Sequence, residues 1–389
     1  MKRTLSYIAV FATVCLAVFM MFPFDETLTN VYSKIQENDP SADVPISQEN
    51  YWYNKLTDNE KKIYKSIYAK ILDFPEKISI PKTEGNEINN VFQALSYDNP
   101  EFFFLGYSSS VEQSGLAAHF IPQYVISKEN YDTYMAQVNT VLSQIDSKTQ
   151  GMSAFEKELY VHDYLASSCE YSDAGKDTKT TIYGALISKQ ANCEGYARSS
   201  QFLLNHIGVK CRVIIGDATN ANGATEGHMW NIVTINDKEY NLDVTWDDYK
   251  INNVPDDKVS LSHMHMNIPT SEIVGSHKAT YEKDYANCLY DDANYYKMSG
   301  LYFYDYNSDV KNAIASEIVK QVDRGGKSIE LKFANEYSYK TAVSRLFDSK
   351  EIYRQIARAN LKTSRKISST QVNYYTQDDK KIIRIFFLF

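Results

Sequence analysis

A cysteine, a histidine and an aspartate occur in that order in the middle of the chain. Cys193 stands in Ala191-Asn192-Cys193-Glu194-Gly195-Tyr196-Ala197, His228 in Gly227-His228-Met229-Trp230-Asn231, and Asp243 in Leu242-Asp243-Val244-Thr245-Trp246-Asp247. These residue types suffice for nucleophilic thiol chemistry. A thiolate attacks, an imidazole takes and returns a proton, and a carboxylate orients the imidazole. No other constellation in the sequence points to chemistry as clearly.

The surrounding pattern suggests how the three could be brought together. After Cys193, apolar residues at Tyr196, Ala197, Leu203, Leu204 and Ile207 fall on one helix face, and Gly208 supplies a stop. Val209 to Gly216 then reads as a strand. Cys193 therefore sits at a helix N-terminus, where free N–H groups and the macrodipole favour a thiolate. Gly195 would leave room for close approach of a substrate. His228 to Ile235 and Glu239 to Trp246 read as a hairpin turning at Asn236-Asp237. In that register Ile235 faces Lys238 and His228 faces Thr245. Asp243 then lies on the His228 face as a diagonal neighbour, within side-chain reach. A three-residue turn would put the two on opposite faces.

Cys-x-Gly-Tyr-Ala, His-x-Trp-Asn and Asp-x-Thr-Trp resemble the three motifs of the transglutaminase-like superfamily. More specifically, they are similar to its bacterial branch of papain-like cysteine peptidases. The resemblance covers about residues 155–250. It implies that Cys193 is the nucleophile, His228 the general base and acid, and Asp243 the orienting carboxylate. It also implies an α+β fold, with a cysteine-bearing helix packed on an antiparallel sheet. An oxyanion formed on the substrate needs donors. The Cys193 N–H is one; Tyr171, where family members often carry a tyrosine, and Gln190 are candidates for a second. Trp230 and Trp246 are expected to wall the site or the core.

The expected organisation is a signal anchor or signal peptide at 1–24, a linker at 25–50 and a helical or mixed subdomain at 51–150. The catalytic domain follows at 151–290, and a small α+β domain at 291–389. Lys2-Arg3 precede an uncharged run from Thr4 to Phe24, long enough to span a bilayer and without a clear cleavage site. The positive end stays inside, so the remainder is expected outside the cytoplasm, membrane-anchored or secreted at the cell surface. The net charge of −8 and the lack of a basic stripe argue against nucleic-acid binding. Of the five cysteines, Cys15 lies in the apolar run and Cys193 must stay reduced. Cys169, Cys211 and Cys288 remain, an odd number, so no essential disulfide is expected.

Elsewhere, Thr57 offers a cap for a helix to about Leu72, and a second helix covers Glu87 to Ser96. Pro122 to Ile126 reads as a strand, while Tyr131 to Ile145 and Ala154 to Ser167 read as helices. Beyond Asn294 the predicted order is strand Leu301–Tyr304, helix Asp309–Val322, strand Ser328–Phe333, helices Tyr337–Phe347 and Glu351–Asn360, and strands Gln371–Tyr375 and Lys381–Phe387. His162 reads as a packed or surface histidine. His263, His265 and His277 could be metal ligands, but no supporting carboxylate spacing completes a set, so neither metal nor organic cofactor is expected.

The function expected is an extracytoplasmic thiol enzyme acting at peptide or amide bonds through a thioester. It would be a peptidase or amidase if water resolves the thioester, a transglutaminase if an amine does. Substrates would be proteins, peptides or cell-wall peptides; oligomeric state is left open. The alternatives are an inactive, surface-anchored binding or assembly protein and a hydrolase built on His263, His265 and His277.

Overall fold

The computed structural model describes residues 50–114, 117–173, 176–248 and 261–389. The expected anchor, Cys15 and all but the last residue of the expected linker lie outside the described residues. No described helix is long and apolar enough to cross a membrane. The described residues form two compact units, one of residues 56–92 and 109–122, the other of 50–55, 93–108 and 123–389.

In the first unit, helix α1 (Asp58–Tyr68) starts at a capping box. Thr57 accepts the Glu60 N–H, and the Glu60 carboxylate accepts the Thr57 N–H at 2.7 Å. Ile63, Tyr64 and Ile67 are fully buried. The helix stops short of Leu72 because the chain tightens into a 3-10 turn at Ile71–Asp73, after which Phe74 takes a left-handed φ of 55°. Strand β1 (Ile78–Ile80) leads to helix α2 (Glu87–Asp98), of which residues 93–98 belong to the second unit. Strands β2 (Leu105–Ser114) and β3 (Ala117–Tyr124) complete a sheet of order β1-β3-β2. The strand expected at Pro122–Ile126 thus lies several residues earlier. Strand β2 escaped the pattern because its Ser-rich middle is largely exposed and lacks an apolar alternation.

In the second unit, α3 (Lys128–Thr149) and α4 (Ala154–Ser168) precede a short parallel pair, β4 (Glu170–Tyr171) and β5 (Gln190–Ala191). Helix α4 is opened by a second capping box, Ser153 with Glu156. Helix α5 (Cys193–His206) packs across β6 (Cys211–Thr219) and β7 (Thr225–Ile235) and beside α4. Its Leu203 and Leu204 are fully buried, worth about 1.5–3 kcal/mol each. Strand β8 (Lys238–Leu242), the helical turn α6 (Val244–Asp247), β9 (Met266–Ile268) and β10 (His277–Ala279) follow. They complete an antiparallel sheet of order β10-β6-β7-β8-β9.

The turn between β7 and β8 is the one expected. Ile235 pairs with Lys238, and Asn236 and Asp237 both take positive φ, 50° and 61°. The second strand is shorter than expected. It ends at Leu242, paired with Asn231, so His228 does not face Thr245. The chain coils instead because the Asp243 carboxylate accepts the Trp246 N–H at 3.2 Å, capping α6.

The region beyond 291 is α+β and lies in the same compact unit. Strand β11 (Tyr302–Phe303), helix α7 (Ser308–Asp323), strand β12 (Ser328–Phe333), helices α8 (Glu336–Val343) and α9 (Glu351–Asn360), and strands β13 (Val372–Gln377) and β14 (Ile382–Phe387) form it. Its sheet order is β11-β12-β14-β13.

Candidate active site

Cys193 is the first residue of α5. Asn192 caps the helix, its side chain accepting the Gly195 N–H at 3.2 Å. Among the described residues nothing accepts the Cys193 N–H, as expected of a helix's first turn. Gly195 is needed for a different reason from the one expected: a Cβ there would lie 2.2 Å from the Lys179 carbonyl oxygen, so the close approach is by the protein's own backbone. Asn231 of the His-x-Trp-Asn motif fixes α5 to the sheet, its amide donating to the Ala197 carbonyl at 2.9 Å. The cysteine helix and the histidine strand are thereby locked together.

His228 lies on β7 opposite Gly216 of β6. Its Nε2–H donates to Asp243 Oδ2 at 2.8 Å, and both side chains are buried. Nδ1 is left for the thiol of Cys193. Burial pulls the His228 pKa down, but the charge and hydrogen bond of Asp243, with Cys193, outweigh it and push it up to about 10. Burial alone would raise the Asp243 pKa. The two histidines that face it hold the carboxyl well below the usual range.

The second of those histidines is His277, which no motif singled out for this role. Its Nε2 bonds the same Asp243 oxygen at 2.9 Å, and its Nδ1 lies 2.9 Å from Ser276 Oγ. Burial lowers its pKa more than Asp243 raises it, so the ring is neutral. A neutral ring has one N–H, which must face the carboxylate; Nδ1 therefore accepts from the Ser276 hydroxyl. Strand β10 can bring His277 here because Gly216 is bare: a Cβ would lie 2.1 Å from the Lys278 carbonyl oxygen. Thirty-four residues separate His277 from Asp243, and neither local periodicity nor spacing links them.

A cleft of about 450 Å³ opens on Cys193 and His228, with Tyr171, Glu226, Trp246 and Asp248 among its walls. Tyr171 is half exposed there. Burial, then the neighbouring Asp173 charge, raises its pKa, so it keeps its proton and donates to Asp173 Oδ1 at 3.1 Å. Gln190 does not reach the cleft; it is exposed on β5, opposite Glu170. Trp246 lines the cleft 4.4 Å from the His277 ring, whereas Trp230 is interior and its indole N–H donates to Asn241. Both flank His228, at 6.0 and 6.2 Å. The remaining described thiols are buried and free. Burial pushes Cys169 up to about 11 and Cys288 up to about 12, and raises Cys211 well above the ordinary thiol value.

The three histidines considered as metal ligands do not converge. His263 Nε2 bonds Asp163, His265 Nδ1 bonds Asp247, and His277 bonds Asp243.

Residues 140–244 match the Transglutaminase-like superfamily core and form a transglutaminase-like core domain. No curated protein matches the sequence. Among solved structures, a TGase is similar at 16% identity, with 49% of this chain and 55% of that one covered and a TM-score of 0.28. A proposed cysteine protease from Cytophaga hutchinsonii is similar at 9% identity (36% and 62% covered, TM-score 0.25). A proposed protease from Parabacteroides distasonis is similar at 12% identity (35% of each chain, TM-score 0.22). The chain thus spans about half the length of the first of these.

Proposed function

We propose that this chain is an extracytoplasmic, membrane-tethered thiol enzyme that cleaves or transfers acyl groups at peptide or amide bonds. The observation that carries the proposal is the 2.8 Å His228–Asp243 bond beside Cys193, in one cleft of a transglutaminase-like core. His228 takes the Cys193 proton at Nδ1, and the thiolate attacks the substrate carbonyl. The tetrahedral oxyanion faces the Cys193 N–H, and the Tyr171 hydroxyl would have to turn from Asp173 Oδ1 to give a second hydrogen bond. Collapse breaks the C–N bond as His228 protonates the leaving amine. Water or a second amine, deprotonated by His228, then attacks the thioester and releases the thiolate. Asp243 holds the imidazole in register and stabilises it when charged. Substrates would be extracellular proteins or cell-wall peptides.

Iodoacetamide alkylation between about pH 4 and pH 9, spanning ordinary imidazole and thiol titration, tests this proposal. One fast site is expected, lost in Cys193→Ala and with its pH profile moved upward in His228→Ala. A Cys193 that reacts like a free-solution thiol and ignores His228 would favour an inactive, binding relative. Peptide amides, with and without added amine, then separate hydrolysis from transfer.

A further inference from the structure

A second group of histidines and carboxylates lies outside the thiol mechanism. His162 and Asp163 on α4 meet His263, just before β9. His162 Nδ1 lies 3.0 Å from Asp163 Oδ1, and His263 Nε2 lies 2.9 Å from the same oxygen. The three donor atoms fall within 4.8 Å of one another.

We propose that His162, Asp163 and His263 bind one divalent transition-metal ion of the zinc class. Ligands at about 2.0–2.2 Å in a tetrahedron stand about 3.3–3.6 Å apart. The two nitrogen–oxygen separations, 3.0 and 2.9 Å, are shorter than this and all three donors lie within 4.8 Å, so an ion would need the side chains to spread around Asp163. Each imidazole also has its other nitrogen turned to a second carboxylate. His162 Nε2 lies 3.2 Å from Asp247 Oδ2, and His263 Nδ1 lies 3.4 Å from Glu330 Oε2. Metal-bound histidines are oriented by this arrangement, an imidazole between an ion and a carboxylate.

Both outer carboxylates are themselves held. Asp247 accepts the His265 N–H at 3.0 Å and faces His265 Nδ1. Glu330 accepts from the His263 N–H and the Tyr296 hydroxyl and faces Arg384. His263 is stacked on Tyr295 at 3.7 Å, so its ring direction is fixed. His263 Nδ1 is buried with no hydrogen bond of good geometry, although the residue is 93% buried.

Access distinguishes the group from a closed ion-pair network. Asp163 and His263 line a cleft of about 460 Å³, and the Asp163 side chain is 41% exposed. Water from that cleft can take the fourth position. Lys320 and Arg324 are the cations along its wall, Lys320 paired with Glu317 and Arg324 just past the end of α7, while Arg384 stands behind Glu330. Binding would displace the inward proton of each ring, leaving an N–H towards the outer carboxylate and a lone pair facing the ion. The bound ion would clamp α4 to the segment entering β9.

The test is titration of the metal-stripped full chain with Zn²⁺ alone. It is done in Cys193→Ala, so that the catalytic thiol cannot bind the ion. One equivalent is expected to bind and to raise the melting temperature, and Co²⁺ in its place should give a tetrahedral visible spectrum. Asp163→Asn and His263→Gln should each weaken binding by ~100-fold or more. Asp163 is partly exposed, so Asp163→Asn serves as the variant that keeps its fold, verified by circular dichroism. Absence of saturable binding, or binding that survives both substitutions in folded protein, would overturn the proposal.

Discussion

The single turn of α6 carries an aspartate at each end, and each aspartate receives two histidines. Asp243 takes His228 and His277 on one oxygen; Asp247 takes His265 and His162 on separate oxygens. The carboxylates are equally buried. At Asp243 one ring is driven charged and the other neutral, and a helix-N-terminal cysteine stands over the charged one. At Asp247 no sulfur is present, and burial, opposed by Asp163 and Asp247, leaves His162 at about 10. A buried imidazole–carboxylate pair is thus a common structural unit of this core. A thiol and an opening to solvent set the Asp243 copy apart.

Removing each carboxylate in turn would break or sharpen that contrast. Asp243→Asn should lower turnover by about 10³- to 10⁴-fold while leaving a folded protein. Asp247→Asn should leave alkylation of Cys193 within about twofold of wild type, and both variants should lose about 3–5 kcal/mol in urea unfolding, because in each a buried charged ring loses its partner. Equal loss of alkylation rate in both variants would end the distinction.

A pH series tests the charged members of both pairs. The folded pKa values of His162 and His228, about 10, lie above the ordinary value near 6.5. Their stabilisation is therefore complete below about pH 6.5 and is lost as pH rises towards 10. Asp243 and Asp247 are lowered, so theirs is present above about pH 4 and is lost on acidification. Unfolding free energy should peak between about pH 4 and 6.5 and fall steadily above it, with a shallower alkaline slope in His228→Gln. A flat profile from pH 6 to 9 would contradict both charged rings. The smallest effect belongs to Ser276→Ala, which removes one neutral hydrogen bond from His277. Turnover should fall about fivefold, with melting nearly unchanged.

Much of this was legible in the sequence, for local reasons. Asn236-Asp237 dictated the turn and with it the Ile235–Lys238 register. Thr57, followed three residues later by glutamate, marked its helix start. The misses were tertiary. Val244-Thr245-Trp246 has strand-forming side chains, yet one carboxylate oxygen capping Trp246 bends it into a helix. Gly195 and Gly216 look alike in sequence, and only packing shows which carbonyl each accommodates. His277 joins Asp243 across a strand crossing that Gly216 permits, and His263 pairs with a residue a hundred positions away. No local periodicity carries such information.

The walls of the Cys193 cleft have one further consequence. Glu170, Glu226 and Asp248 line it, and no described lining residue is a lysine or arginine. The negative potential gathered there would concentrate cationic molecules at the sulfur and repel anionic ones, more strongly at low ionic strength than at high. The shape of the cleft decides what fits; its field decides what arrives first.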